Sequence, residues 1–309
     1  MAPAEPLAAL RRRNLAGIAW MVLAMAGFAL EDGLIKHLAA GLPVGQIMIL
    51  FGLGGAAVFA LSFVGSGVRL LDPGLRSRAM AWRAAFEVLG RSAFVLAVAW
   101  TPLSTTTAIL QATPVLIVAG AIVFFGERAG PWRWSAVVLG LVGVLIVLDP
   151  RADDVTPLSV LALAGMAGFA GRDLATRAAP ASLGLRHFGL TGFLTLSVAG
   201  ALVSWLVDGG AWRAVDLPQA AALAACLVCG LGAYLSLMTA MRTGEVVAVT
   251  PFRYTRLLFG VALGVIAFGE TPGARTLWGS ALIVAAGLLV MLAPAPSPRP
   301  STDVSSTVP

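Results

Sequence analysis

Apolar runs, most of them close to the ~20 residues that an α-helix needs to cross a hydrocarbon layer, alternate with short polar turns along this 309-residue chain. Ten of them fall near Leu15–Leu38, Val44–Val64, Trp82–Trp100, Ser104–Phe125, Ser135–Leu148, Leu158–Thr176, Phe188–Val207, Gln219–Met241, Val246–Phe268 and Leu277–Leu292. A chain that is 59% hydrophobic and 12% charged, with a mean hydropathy of +0.91, cannot cover such runs with polar surface as a soluble globule would. The expected fold is an all-α polytopic membrane protein. Trp82, Trp100, Trp132, Trp134, Trp205, Trp212 and Trp278 fall near the ends of runs, where amphipathic rings prefer the membrane interface.

Charge sets the orientation. With the amino terminus in the cytoplasm, that side holds Arg11, Arg12, Arg13, Arg69, Arg76, Arg78, Arg83, Arg128, Arg133, Arg172, Arg177, Arg186, Arg242 and Arg299. The other side holds only Lys36, Arg151, Arg213 and Arg275. This asymmetry follows the positive-inside rule, so the pI near 10.6 reports topology and excludes nucleic acid as a partner. Both termini are expected in the cytoplasm of a bacterium, with the chain in its inner membrane. Arg11–Arg13 before an apolar run also resembles a secretory signal. Cleavage is not expected, because it would remove one member of an internal repeat.

That repeat pairs Met25-Ala26-Gly27-Phe28-Ala29-Leu30-Glu31-Asp32 with Met166-Ala167-Gly168-Phe169-Ala170-Gly171-Arg172-Asp173. Further on, Phe125-Gly126-Glu127, Trp134 and Gly143 correspond to Phe268-Gly269-Glu270, Trp278 and Gly287. Five runs separate the copies, an odd number, so the halves enter the membrane in opposite orientations. Inverted repeats are a transporter signature, with the substrate site between them. The expected architecture is ten transmembrane helices as two inverted five-helix repeats. Residues 1–14 form a cytoplasmic tail, 15–148 the first repeat, 149–157 an external loop, 158–293 the second repeat, and 294–309 a disordered cytoplasmic tail.

On these features the sequence resembles the EamA branch of the drug/metabolite transporter superfamily. The resemblance rests on the five-plus-five plan, the Gly126-Glu127 and Gly269-Glu270 pairs, and the glycine-spaced final runs, Gly140/Gly143 and Gly279/Gly287. It implies a central cavity lined by the first, third, fourth, sixth, eighth and ninth spans, and export or import of amino acids or other small metabolites. Many relatives place an Arg in the second span where this chain has Phe51, so no role for that Arg carries over. Arg172-Asp173-Leu174-Ala175-Thr176-Arg177 and Arg253-Tyr254-Thr255 resemble members assigned to vitamin uptake, of the riboflavin kind.

Ionisable residues inside the apolar runs are costly and usually functional. Glu31, Asp32, Glu87, Arg91, Arg172, Asp173, Arg253 and Arg256 are therefore candidate substrate-binding or translocation residues, with Gln111, Tyr234 and Tyr254 as polar companions. Asp32/Lys36, Glu87/Arg91 and Asp173/Arg177 have helical i,i+4 spacing, so mutual neutralisation is the simplest reading of each pair. Glu31 and Arg172, repeat-equivalent but opposite in sign, are candidates for a gating salt bridge. Arg253 and Arg256 share a helical face after Thr250-Pro251, with Glu87 or Glu31 as prospective counter-ions. The slight cationic excess of the set favours a substrate with a carboxylate or another electron-rich polar face.

Neither His37 nor His187 belongs to a metal-ligand or nucleophile motif, and no phosphate-cradling Gly-x-x-x-x-Gly-Lys sequence occurs. Cys226 and Cys229 form a lone pair of thiols in an apolar run, short of the ligand set of a structural zinc site. The expectation is no enzyme, no cofactor and no metal. It is a secondary transporter of a small polar metabolite, such as an amino acid or other carboxylate-bearing compound, driven by a gradient or by exchange; uptake of a riboflavin-like vitamin is the alternative, ahead of a membrane-embedded enzyme or an assembly partner. The bilayer and a small-molecule substrate are its partners, Asp32, Glu87 and Asp173 are the candidate proton carriers, and a homodimer is compatible with the sequence.

Overall fold

Prolines mark where the chain changes direction. In the computed structural model, which describes residues 7–125, 131–148, 157–243 and 249–292, Pro43 and Pro102 immediately precede helices, and Pro131 and Pro157 are the first residues of others. Proline suits these places because the N–H it lacks would have no helical partner there. Eleven α-helices and two short 3-10 segments result among the described residues. They are α1 (Leu7–Ala39), α2 (Val44–Leu61), α3 (Arg78–Trp100), α4 (Leu103–Leu110), α5 (Thr113–Phe125), α6 (Pro131–Leu148), α7 (Pro157–Arg177), α8 (Leu185–Leu206), α9 (Leu217–Thr243), α10 (Thr255–Phe268) and α11 (Ala274–Leu292).

Two spans are interrupted. The fourth is split into α4 and α5 at Gln111-Ala112, and the ninth starts as a 3-10 turn, Thr250–Tyr254, before continuing as α10. The alignment that places Phe125 on Phe268 also places Gln111 on Tyr254, so the two interruptions are equivalent. Pro114 sits in the first turn of α5, where its missing N–H is harmless. The side chain of Gln111 bridges the two breaks by donating from Nε2 to the carbonyl of Arg253 at 3.1 Å.

The packing maps onto itself when the halves are exchanged. Helix α3 lies along α7, and its counterpart contact is α9 along α1. The α2–α8, α6–α11 and α4–α10 contacts each join equivalent helices. The first helix of each half therefore packs on the third helix of the other, and neither half closes a core alone. Small residues permit these crossings. A Cβ on Gly168 would stand 2.5 Å from the amide nitrogen of Gly90, and one on Gly27 would stand 2.9 Å from the Cβ of Ala233. In lipid, where burial of apolar surface drives nothing, such close backbone packing is a main source of helix association.

Exposure is inverted relative to a soluble protein. Large apolar side chains such as Leu61, Trp205, Val228 and Ile266 face outward, while Glu31, Asp32, Arg83 and Glu87 are buried. Among the described residues, five spans are long and apolar enough to cross a bilayer on composition alone: Arg11–Ala39, Val44–Leu61, Leu103–Phe124, Leu185–Leu206 and Leu217–Met241. Helices α3, α7 and α10, which fall outside that set, carry Arg83, Glu87, Arg91, Arg172, Asp173 and Arg256, and α1 carries the buried Glu31 and Asp32. The chain is an all-α polytopic membrane protein whose polar groups turn inward.

Candidate functional site

Helix α3 supplies one side of the site. Arg83, Glu87 and Arg91 stand one helical turn apart and share a face. Glu87 is fully enclosed by guanidinium groups: Arg91 Nε at 3.2 Å, Arg172 Nη1 at 3.3 Å and Arg83 Nη2 at 3.7 Å. Arg172, on α7, also holds the adjacent Asp173 at 2.8 Å, and Arg91 reaches Glu31 of α1 at 3.8 Å. A continuous chain of charge thus runs from Glu31 through Arg91, Glu87 and Arg172 to Asp173, joining α1, α3 and α7. A second link crosses from α10 to α1, where Arg256 donates to Asp32 Oδ2 at 2.6 Å.

Aromatic rings hold these cations in place. Phe169 lies between Arg172 and Arg91, with guanidinium carbons 4.9 and 5.6 Å from its centroid. Arg256 lies between Phe28 at 5.2 Å and Phe94 at 5.8 Å, and Arg83 rests 5.3 Å from the Phe188 ring. Phe28 and Phe169 are repeat-equivalent, so each half brings the same ring to an arginine. A desolvated cation–π contact is worth up to about 2 kcal/mol, which offsets part of the cost of stationing guanidinium groups within the membrane.

Several pairings differ from the helical-spacing expectation. Asp32 is not neutralised by Lys36; its partner is Arg256, because a guanidinium across the helix interface comes closer than an ammonium one turn along. Glu31 and Arg172 form no direct bridge and are linked only through Arg91 and Glu87. Arg256 takes neither Glu87 nor Glu31. Glu87/Arg91 forms as its helical spacing suggests. Gln111 is buried and spends its amide on the Arg253 carbonyl. Tyr234 is half-buried, edge-on to Phe59 at 5.7 Å and within electrostatic reach of Arg83, Arg172 and Glu87. Tyr254 points elsewhere, its ring packed on Gly287 of α11 and its hydroxyl buried without a hydrogen-bond partner among the described residues. Arg253 is exposed where the other members of the set are buried or half-buried, with Asp173, Arg172 and Arg256 acting on it electrostatically.

Sequence reasoning missed Arg83. It had been placed at the edge of a span beginning near Trp82, but α3 starts at Arg78 behind an N-cap from Ser77. Arg83 is consequently buried one turn deeper, where it donates to Thr176 Oγ1, Thr191 Oγ1 and the Phe188 carbonyl. The i,i+4 spacing of Arg83 to Glu87 was the available signal.

At one end of the bundle a latch ties the halves together. The Glu270 carboxylate accepts the amide protons of Leu103 at 2.6 Å and Ser104 at 3.0 Å, and the Ser104 hydroxyl at 2.8 Å. It thereby caps α4, an anion at a helix N-terminus. Lys36 Nζ lies 3.7 Å from the same carboxylate and donates to the carbonyl of Thr101 at 2.6 Å. Gly269 makes the turn possible with φ +63°, a left-handed conformation suited to glycine. The repeat counterpart of Glu270, Glu127, lies outside the described residues.

Interleaved helices around a charged centre, within an apolar exterior, define a polytopic membrane protein with a polar interior. The sequence profile of the EamA-like transporter family matches residues 15–149. A riboflavin transporter from Rhizobium johnstonii is 30% identical over 292 residues, spanning 90% of this chain and 92% of the relative. An S-adenosylmethionine uptake transporter from Rickettsia conorii is 22% identical over 280 residues, spanning 90% and 92%. A crystal structure of another protein shares the fold, with a TM-score of 0.53 and 19% identity over 90% of this chain and 96% of that one. The chain belongs to the EamA-like transporter family, of the drug/metabolite transporter type.

Proposed function

We propose that this protein is a secondary transporter in a bacterial cytoplasmic membrane, with both termini inside, moving a small polar metabolite through the centre of the bundle by a gradient or by exchange. The observation that carries the proposal is the exposed Arg253 beside a cluster of carboxylates and arginines that are buried or half-buried at the centre of the bundle, which we read as lying between two oppositely inserted halves, residues 15–148 and 158–293. Residues that line this centre, Glu31, Asp32, Glu87, Arg91, Gln111, Arg172, Asp173, Tyr234 and Arg253, form the translocation site. Arg256 positions Asp32, and Tyr254 supports the wall behind.

Riboflavin is the first substrate to test, supported by the similarity to a riboflavin transporter and by a site rich in rings and hydrogen-bond donors. The test is uptake of labelled riboflavin by proteoliposomes of the purified protein, beside rescue of a riboflavin auxotroph that lacks its own importer. Saturable uptake with rescue is expected. Membrane-inserted protein that gives neither rules out riboflavin. Failure of every compound in a metabolite panel to exchange across the same vesicles rules out the transporter reading itself.

A further inference from the structure

Of the five arginines at the centre of the bundle, four are matched twice. Arg83, Arg91, Arg172 and Arg256 each lie within 4 Å of a carboxylate and over an aromatic ring. Arg253 has neither among the described residues. Its backbone is fixed by the Gln111 hydrogen bond to its carbonyl, its side chain is exposed, and its neighbour Tyr254 is turned away and buried. A guanidinium cannot shed its proton to escape this position, and although Asp173 acts on it electrostatically, one without an anion in direct contact in a membrane interior is costly. Water or substrate must complete it.

Repeat symmetry accounts for the missing partner. Asp32 and Asp173 are equivalent, and the alignment of Phe125 with Phe268 makes Arg256 equivalent to Thr113 and Arg253 equivalent to Leu110. Asp32 therefore finds Arg256 on the ninth span, whereas Asp173 faces a fourth span with no cation at the matching place and takes Arg172 next to it. The described centre then holds Arg83, Arg91, Arg172, Arg253 and Arg256 against Glu31, Asp32, Glu87 and Asp173, a surplus of one positive charge that sits on Arg253.

Resting on the transport reading above, we propose that Arg253 is the specificity-determining residue of the site, its two-pronged donor edge taking a planar pair of acceptor atoms on the substrate. A carboxylate presents such a pair, and so does the carbonyl-and-ring-nitrogen edge of a flavin-like heterocycle. Both match the guanidinium fork, which an ammonium cannot reproduce. The other arginines compete less for this edge, because each already has a carboxylate within 4 Å and a ring against its face.

The test is ligand-induced thermal stabilisation of the purified full-length protein by riboflavin, by the planar carboxylates nicotinate and 4-aminobenzoate, and by tyramine, which lacks an acceptor edge. Wild type, Arg253→Lys and the loop control Arg69→Lys are compared. At least one acceptor-bearing compound should bind wild type and Arg69→Lys alike. Its half-saturating concentration should rise about tenfold or more in Arg253→Lys, or 1.4 kcal/mol. Nicotinate or 4-aminobenzoate behaving so while riboflavin is silent supports Arg253 and removes riboflavin. Equal affinity in Arg253→Lys, binding of tyramine alone, or no binding at all overturns the proposal. If Arg253→Lys does not fold, phenylglyoxal modification of wild type, read by mass spectrometry, decides. Arg253 should be modified ahead of Arg91, Arg172 and Arg256 and be protected by the bound compound; an unreactive Arg253 overturns it.

Discussion

Glu270→Ala is the sharpest probe of how the halves are joined. The carboxylate satisfies two amide donors at the start of α4 and one hydroxyl. An eight-residue helix has little stability of its own. Losing a helix cap costs about 1 kcal/mol, and losing a partly buried anion from a helix N-terminus costs about 1 more. Lys36 also loses its counter-ion, although its bonds to the Thr101 and Val98 carbonyls remain. The sum is about 2–3 kcal/mol for Glu270→Ala. Glu270→Gln keeps one acceptor oxygen but turns an amide donor toward a donor, for about 1–2 kcal/mol. Ser104→Ala removes the hydroxyl bond alone, for about 1 kcal/mol.

Unfolding free energies from SDS titration in mixed micelles should therefore rank Glu270→Ala below Glu270→Gln and both below Ser104→Ala. A cycle of Lys36→Met and Glu270→Gln should give a coupling of about 0.5–1 kcal/mol, since the charges stand 3.7 Å apart and are only partly shielded from solvent. Glu270→Ala within about 0.5 kcal/mol of wild type would refute the latch, as would a ranking in which Ser104→Ala is the most damaging.

Four further outcomes are expected. Asp32→Asn strands Arg256 and should cost about 3–5 kcal/mol in the same titration; adding Arg256→Gln should recover most of it, whereas adding Lys36→Met should recover none. Gly168→Val should abolish folded yield in detergent by driving α3 from α7, while Gly232→Ala, with open space around it, should be neutral or stabilising. Outside the membrane, the Asp72 carboxylate accepts the Gly74 amide proton at 2.7 Å and the Ser182 hydroxyl at 3.0 Å. These bonds hold its pKa below the ordinary 3.8. Their stabilisation is present above that value and lost as pH falls through the lower folded one, so the melting difference between wild type and Asp72→Ala should shrink in acid. In a background without Cys226 and Cys229, Ala152→Cys should react with an impermeant thiol reagent in cells with a permeabilised outer membrane, and Ser301→Cys should not; the reverse pattern would invert the topology.

Much of the fold was legible because membrane insertion acts on local sequence. Apolar length marks the spans, prolines mark the starts of helices, and the Met-Ala-Gly-Phe and Phe-Gly-Glu matches expose the repeat. Most of the charged centre could be listed for the same reason, since ionisable groups stand out in apolar runs. Their pairings were not legible. Helical spacing states which groups share a face, but which carboxylate meets which cation depends on the rotation of helices about one another, and that is set by contacts such as Gly90 on Gly168. Asp32 therefore leaves Lys36 for Arg256. Arg83 escaped because its burial depends on where α3 begins, and a few residues at a helix end decide between a loop and a site.

The same symmetry that makes the repeat readable makes its violations informative. Packing treats the halves alike: α3 on α7 repeats α9 on α1, and the breaks at Gln111 and Tyr254 coincide. Charge does not. Glu31 is matched by Arg172, Leu110 by Arg253 and Thr113 by Arg256, and these three replacements fall where the interleaved helices face the centre rather than the lipid. Two halves with equal packing can exchange the side on which they open at little cost in helix contacts, which suits alternating access. A substrate bound between them would still meet unequal walls, with a guanidinium fork on the ninth span where the equivalent place in the fourth holds the core residue Leu110. Leu110→Arg would restore the symmetry and put a second cation at the equivalent place of the fourth span. If unequal walls select the substrate, that variant should remain folded and inserted, lose affinity for a singly acceptor-edged ligand, and gain it for a dicarboxylate. Unchanged selectivity in the folded variant would show that the sixth and ninth spans read the substrate without the fourth.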